Sequence, residues 1–100
     1  TIGKNVTAIG DGAFYKCTAL TKVTIPSKVS KIGKKAFYQC KKLKSISIKT
    51  KKLASKNVGS KAFQGIYANA AIKVPKSKLK AYKKLLKARG VSSKAKILFK

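Results

Sequence analysis

The sequence predicts an α/β solenoid with a short parallel sheet of about four strands, one strand per coil. Short helical or 3-10 turns are expected on the other side of the coil, with a longer helix near the C-terminus. Two observations carry this prediction. The stretch 9–31 recurs 23 residues later, and each copy contains a period-2 alternation of β-branched residues that is typical of a short strand. A fixed period of this length is typical of chains whose units bury their apolar faces only against their neighbours.

Two copies of the repeat match at nine positions, and the repeat divides the chain into coils of one domain. The matched residues are Ile9, Gly10, Ala13, Phe14, Tyr15, Cys17, Leu20, Val23 and Ile25 in the first copy, and Ile32, Gly33, Ala36, Phe37, Tyr38, Cys40, Leu43, Ile46 and Ile48 in the second. The predicted units are a partial repeat (1–8), a repeat (9–31), a repeat with a widened loop (32–57), a degenerate repeat (58–75) and a helix–strand cap (76–100). Because Ile2 stands where Ile25 stands, residues 1–8 are expected to continue a strand, with further repeats upstream.

The charge balance is extreme. The chain has 26 basic residues, of which only Arg89 is arginine, against the single acid Asp11. Internal ion pairs cannot neutralise this excess, so it must be solvated, screened by salt or matched by an acidic partner. No run of 18 apolar residues is present, so membrane insertion is not expected. The first residues lack an apolar signal segment, which leaves secretion open for a chain that begins inside a repeat.

Within one repeat, the residue types assign the elements. Leu20, Val23 and Ile25 are expected to point into the core, and Pro26 ends the strand because it cannot donate to a ladder. Gly10 is expected to supply a turn, as is Gly33 in the next repeat, and each leads into a short helical or 3-10 segment. Cys17 and Cys40 occupy equivalent positions, which favours two stacked core thiols; a disulfide between adjacent coils is the alternative.

The end of the chain departs from the repeat. In the third copy Ile66 replaces the cysteine, and the segment 49–57 contains the three extra residues of a widened loop. Helical spacing of apolar residues then predicts an amphipathic helix over about 77–89, with Ser77 as its N-cap and Gly90 as its stop. Ile97-x-Phe99 repeats the strand alternation and predicts a final parallel strand.

These residues resemble a known family. The segment LTKVTIPSKVSKIGKKAFYQC is similar to the BspA-like leucine-rich repeats of bacterial cell-surface proteins, whose pattern runs roughly LxxLxLPxxLxxIgxxAFxxCxx. The match covers residues 1 to about 75, and the last coil looks like the C-terminal end of such arrays. The resemblance implies a leucine-rich-repeat solenoid and an exported, extracellular protein at the bacterial cell surface, with a role in adhesion to host matrix or other surface proteins.

Catalysis has little chemistry to use. The chain has no histidine and one carboxylate, so no acid–base pair or triad can be assembled. Two thiols alone are an incomplete metal site. No catalytic residue, metal ligand, cofactor or small-molecule substrate is therefore predicted, and Asp11 is interpreted as a local turn or cap residue.

The outward positions of successive strands are the predicted binding surface, because repeat proteins commonly use this extended face. They are Lys22, Thr24, Ser45, Ser47, Ala71 and Lys73. A protein partner is favoured, with an ordinary solvated face as the alternative at these positions. Two further functions stay open: electrostatic binding of anionic polymers (cell-wall polymer, glycosaminoglycan or nucleic acid), and a structural spacer. Sequence-specific reading of nucleic acid is disfavoured because arginine is nearly absent. Tyr15 and Tyr38 are interpreted as packing residues.

Overall fold

The computed structural model describes Gly3 and residues 5–92 and 94–99, so the expected strand end at Ile2 lies outside the described residues. In chain order the strands are β1 (Ala8–Ile9), β2 (Lys22–Ile25), β3 (Lys31–Ile32), β4 (Ser45–Ile48), β5 (Ala71–Val74) and β6 (Lys96–Phe99). One α-helix, α1 (Leu79–Ala88), lies between β5 and β6, and 3-10 turns cover Ser55–Asn57 and Lys76–Lys78.

The main sheet confirms the predicted solenoid. Its strands are parallel in the order β2-β4-β5-β6, one from each successive coil. Val23 pairs with Ile46, Ile46 with Ile72 and Ile72 with Ile97. The copies differ in length, and their extra residues lie in loops outside the strands. The register of the buried strand residues is therefore the same from coil to coil.

A second parallel pairing runs along the return side of the coil. β1 pairs with β3, and Ile32 makes a further parallel bridge to Val58. Ile32 is one of the matched residues of the repeat, and its backbone joins neighbouring coils. Val29 and Ile32 are both fully buried, as the apolar pattern predicts.

The short helical or 3-10 segments predicted after Gly10 and Gly33 are wrong, because residues 11–16 and 34–39 form turns instead. Separate hydrogen bonds between residues three apart close these turns, such as the one from the Tyr15 N–H to Gly12 O at 3.0 Å. The same segments also bond to the next coil: the Phe14 N–H donates to Ala36 O at 2.7 Å, and the Phe37 N–H donates to Ala62 O at 2.7 Å. The turns thus form a third ladder between coils.

A column of phenylalanine rings fills the core beneath these turns. The Phe14 and Phe37 rings are nearly parallel, with centroids 5.1 Å apart, and the Phe37 and Phe63 rings are 5.3 Å apart. Phe37 and Phe63 are fully buried, whereas Phe14, in the first described turn, is half-buried. The Ala-Phe step of each repeat therefore supplies one layer of a continuous aromatic stack.

Close approach of coils, rather than a left-handed backbone, explains the glycines at positions 33 and 59. A Cβ atom on Gly33 would lie 2.6 Å from the carbonyl carbon of Gly10 and closer still to Asp11, and one on Gly59 would lie 2.6 Å from the carbonyl carbon of Gly33. The left-handed backbone of the first turn falls instead on Gly12, with φ of 63°. Gly10 and Gly33 do begin the predicted turns, since Gly10 O accepts from the Ala13 N–H at 3.2 Å and Gly33 O from the Ala36 N–H at 3.3 Å, but neither has the positive φ that favours glycine.

Asp11 also has a different role from the one predicted. Its Oδ1 accepts a hydrogen bond of 2.9 Å from the backbone N–H of Lys34, which lies 23 residues later in the next coil. The carboxylate therefore links two coils instead of capping a turn within its own.

The two cysteines are free, with Cys40 buried and Cys17 half-buried. The Cys40 thiol donates to the carbonyl oxygen of Phe14 at 2.9 Å. Burial raises the pKa of the Cys40 thiol, so its thiolate is disfavoured and its reactivity is low. The structure thus contains the two unbridged thiols that the sequence favours.

The C-terminal helix ends as predicted but begins differently. Ser77 lies inside the 3-10 turn, and the N-cap of α1 is Lys78, whose side chain makes no capping hydrogen bond, so the predicted Ser77 cap is wrong. At the other end Gly90 has φ of 106°, its N–H donates to Lys87 O, and the Val91 N–H donates to Leu86 O. This pair of bonds is the glycine-terminated end that the sequence indicates.

Tyr82 fastens α1 to the widened loop. Its ring is buried, its hydroxyl donates to the Thr50 carbonyl oxygen at 2.7 Å, and it accepts a bond of 3.2 Å from the Leu53 N–H. Burial raises the pKa of Tyr82 above its ordinary value. The hydroxyl therefore serves two buried backbone groups that the loop leaves without a strand partner.

Removing that hydroxyl tests the contact. Tyr82→Phe is expected to lower the free energy of unfolding by about 1–3 kcal/mol in urea, because two buried backbone groups lose a partner. Tyr67→Phe, on an exposed ring, is the control and is expected to change it by less than about 0.5 kcal/mol. The tyrosine's advantage over phenylalanine is present below the ordinary pKa of 10.0 and is lost as the pH rises through the raised folded-state pKa. Equal stability of the two variants would show that the Tyr82 hydroxyl bonds contribute nothing.

Candidate functional site

The predicted binding residues form two rows on the outward face of the main sheet. Parallel pairing places Lys22 beside Ser45 and Ser45 beside Ala71 in one row. The second row holds Thr24, Ser47 and Lys73 in the same order. Neighbouring strands lie about 4.8 Å apart, so all six residues share one continuous surface.

The face has low relief at its centre. Lys22, Ser45 and Lys73 are exposed, whereas Thr24, Ser47 and Ala71 are half-buried between their neighbours. The side chains under the face, such as Val23 and Ile46, are buried in the core. The strands therefore hold a set of small, short side chains in a fixed plane, with ammonium groups toward the margins.

The structure extends both rows by one residue from β6. Lys96 lies beside Ala71, and Leu98 lies beside Lys73. Leu98 is 45% exposed, which makes it the large apolar side chain on this face. The alternation Ile97-x-Phe99 predicted this strand, but Lys96 and Leu98 were not among the predicted binding residues. The signal was available, because residues that alternate with a buried Ile97 must face outward.

The described residues form neither a cluster of metal ligands nor a helix that could span a membrane. Among them, no three His, Cys, Asp or Glu side chains lie close enough together to hold a metal ion. Within the same part of the chain, no helix has the length and apolar character needed to cross a membrane.

The repeat pattern and the coil geometry agree with a known family. A family model described as the BspA type leucine rich repeat region matches residues 1–89 in six copies. The chain belongs to the BspA type leucine-rich repeat family. No curated protein and no solved structure matches the chain. The BspA type repeat is thus identified by its own pattern and by the parallel one-strand coils that it forms.

Membership in the BspA type family gives the coarse function. Leucine-rich repeats of this type act as protein-interaction or structural repeat modules and are not typically catalytic. BspA type proteins are typically found at bacterial surfaces. Within such a module the outward sheet face is the candidate site, because it is the extended surface to which every coil contributes.

Proposed function

We propose that this BspA type repeat domain is a non-catalytic adhesion module of the bacterial cell surface. It binds a protein, such as a host matrix protein or another surface protein, through the outward face of its sheet. The observation that carries the proposal is the pair of aligned rows that run from β2 to β6. The binding residues are Lys22, Thr24, Ser45, Ser47, Ala71 and Lys73, extended by Lys96 and Leu98.

The chemistry of this face suits a protein surface better than a small ligand. A flat surface of short side chains allows close approach of a partner over several strands. Leu98 supplies exposed apolar area at one margin, and Lys22, Lys73 and Lys96 supply charge that steers an acidic partner. The rows lie on β-strands, so their side chains are positioned before binding and lose little conformational freedom on complex formation.

The test is binding of the purified chain to a panel of purified extracellular matrix proteins. Binding is measured in about 0.15 M and about 1 M NaCl, between which the screening length falls from about 8 Å to about 3 Å. The double variant Ser45→Arg, Ser47→Arg places two long side chains at the centre of the face. It is expected to weaken binding to a panel protein by about tenfold or more, because a bulky group at the centre of an interface prevents close packing.

The matched control is Ser27→Arg with Ser60→Arg, which adds the same two charges at exposed positions off the sheet. This control is expected to bind as the unmodified chain does. Thermal unfolding of both double variants establishes that each is folded. Equal binding by the two double variants, with both folded, would place the interface elsewhere and contradict the proposal.

Electrostatic binding of an anionic polymer is the second candidate, because the described lysines are exposed, apart from the half-buried Lys78. The lysines are distributed around the coil, and the chain has a single acidic residue to balance their positive charge. Polyanion binding that falls steeply between the two salt concentrations, without salt-resistant protein binding, would support this candidate. Binding in neither arm would leave the structural spacer.

A further inference from the structure

We propose that a cluster of tyrosine and lysine side chains on the turn ladder is a binding site for an acidic oligosaccharide, a sugar chain that carries carboxylate or sulfate groups. The cluster consists of Tyr15, Lys16, Thr18, Tyr38, Gln39 and Lys41, which line an open cavity of about 360 Å³. The site is separate from the rows of the sheet face, and the proposal goes beyond protein binding there. It gives the polyanion alternative a location and a ligand class.

The two tyrosines form a stacked pair across adjacent coils. Their ring centroids are 5.3 Å apart, and the ring planes differ by 11°. Tyr15 is 44% exposed, and Tyr38 is half-buried. The 23-residue repeat places them together, outside the phenylalanine column of the core. Their rings thus form one rigid wall at the surface instead of two independent side chains.

A lysine ammonium group lies over each ring of this pair. Lys16 Nζ lies 5.4 Å from the centroid of the Tyr15 ring, and Lys35 Nζ lies 5.3 Å from that of Tyr38. Since the neighbouring tyrosine occupies one face of each ring, we place each ammonium over the other face. These cation–π contacts hold two positive charges at the surface next to the phenolic rings.

The remaining groups of the cavity are hydrogen-bonding side chains. Thr18 and Lys41 are exposed, and Gln39 is half-buried. Ammonium and phenol hydroxyl groups donate to carboxylate or sulfate oxygens, while the amide of Gln39 and the hydroxyl of Thr18 can bond to sugar hydroxyls. The cavity therefore combines anion recognition with the neutral polar groups that a sugar ring requires.

Two residues of this cavity have a left-handed backbone conformation at a repeat position that is occupied by glycine in the following coils. Lys16 and Gln39 have left-handed φ angles of 54° and 61°, and the equivalent residues are Gly65 and Gly90, with φ of 85° and 106°. A left-handed conformation is less favourable for a residue with a Cβ than for glycine. Lys61 shares the conformation outside the cavity, with φ of 58°, so strain alone does not mark the site. At the cavity, however, both strained residues supply lining side chains.

A single-stranded nucleic acid fits this arrangement less well. Binding without sequence preference uses open aromatic faces on which bases stack. Here each tyrosine face is taken by the other tyrosine or by an ammonium group, which leaves the ring edges and the polar groups. The site therefore favours a ligand that accepts hydrogen bonds over one that stacks.

The experiment measures binding of size-matched oligosaccharides to the full chain in about 0.15 M NaCl. The probes are an oligogalacturonate, which carries carboxylates, a heparin-derived oligosaccharide, which carries sulfates, a neutral malto-oligosaccharide and an oligothymidylate. The double variant Lys16→Gln, Lys41→Gln is compared with Lys51→Gln, Lys52→Gln, which removes two exposed lysines of the widened loop. Both changes lower the net charge equally, so they separate a local site from general attraction.

We expect an acidic oligosaccharide to bind and the neutral one not to bind. The change at Lys16 and Lys41 is expected to weaken binding by about tenfold, and the change at Lys51 and Lys52 by less than about threefold. Tyr15→Phe with Tyr38→Phe keeps the ring stack and removes the hydroxyl donors, and it is also expected to weaken binding. The preferred acidic probe identifies carboxylate or sulfate as the recognised group.

Three results would overturn the proposal. Equal weakening by the two lysine pairs would show attraction without a local site, and this result would leave protein binding by the sheet face unaffected. Unchanged binding by the tyrosine variant would show that the ligand does not contact the phenol hydroxyls, which contradicts recognition at this cluster. Tighter binding of the oligothymidylate than of either acidic sugar, with the same dependence on the tyrosines, would assign the cluster to nucleic acid.

Discussion

Gly33→Ala is expected to destabilise the fold by roughly 3 kcal/mol or more, at the upper end of overpacking effects. The new Cβ would lie 2.6 Å from the Gly10 carbonyl carbon and nearer to the backbone of Asp11. These are backbone atoms that three inter-coil ladders hold in place, so a side-chain movement cannot relieve the overlap. The coils would have to separate, which would weaken the hydrogen bonds on both sides of Gly33.

Gly10→Ala is the matched control because it is the same change at the equivalent position of the preceding copy. A Cβ on Gly10 meets nothing within 4 Å. The expected change is within about 0.5 kcal/mol. Unfolding in urea, followed by far-ultraviolet circular dichroism, measures both variants. Comparable stability of the two variants would contradict the close coil contact at Gly33.

Phe37→Ala is expected to cost about 3–5 kcal/mol of unfolding free energy. Phe37 is fully buried, with the Phe14 ring at 5.1 Å and the Phe63 ring at 5.3 Å. Truncation would remove the middle ring of the column and leave a cavity that two fixed coils cannot close. For a domain whose total stability is about 5–15 kcal/mol, a loss of this size leaves a large unfolded fraction under mild denaturing conditions.

Phe14→Ala is the comparison, because Phe14 has the same repeat position but is half-buried and stacks on one ring. Its cost is expected to be clearly smaller than that of Phe37→Ala. The chain contains four tyrosines and no tryptophan, so circular dichroism is a better probe than tryptophan emission. A larger cost at Phe14 than at Phe37 would contradict a column whose stability comes from burial between coils.

Most of the architecture was predictable because the repeat imposes it. The spacing that puts Val23, Ile46 and Ile72 at equivalent positions also requires their strands to be parallel and in register. The same spacing gives Phe14 and Phe37 equivalent positions, and it places the outward residues of successive strands on one face. The periodic pattern of apolar residues is a local property of the sequence, so buried positions can be predicted from it without knowledge of tertiary contacts.

Features that depend on distances between coils were not predictable. The sequence predicts a turn at Gly33. Only the structure shows that backbone atoms of another coil lie where a Cβ of this residue would be. Asp11 was predicted to be a local turn or cap residue. Its partner, the Lys34 N–H, is 23 residues away and cannot be identified from the local sequence. Ser77 suits an N-cap by residue type, but it lies inside the 3-10 turn that precedes α1, one residue before the N-cap Lys78.

The candidate site was only partly predictable for a related reason. Alternation placed Ser45 and Ser47 on the outward face, but the contribution of Leu98 depends on β6 joining the same sheet. The lysines over Tyr15 and Tyr38 depend on left-handed turns that residue type does not indicate at Lys16 and Lys35. Side-chain placement at these turns is a property of the folded coil.

The most direct test of the sheet-face proposal is an amide chemical-shift titration of the ¹⁵N-labelled chain with a matrix protein that the panel retains at high salt. The largest shifts or line broadening are expected on Lys22, Ser45, Ser47, Lys73 and Lys96, with smaller changes on the return side. Changes centred on Tyr15 and Lys41, or on α1, with the sheet strands unaffected, would contradict the assignment of protein binding to this face.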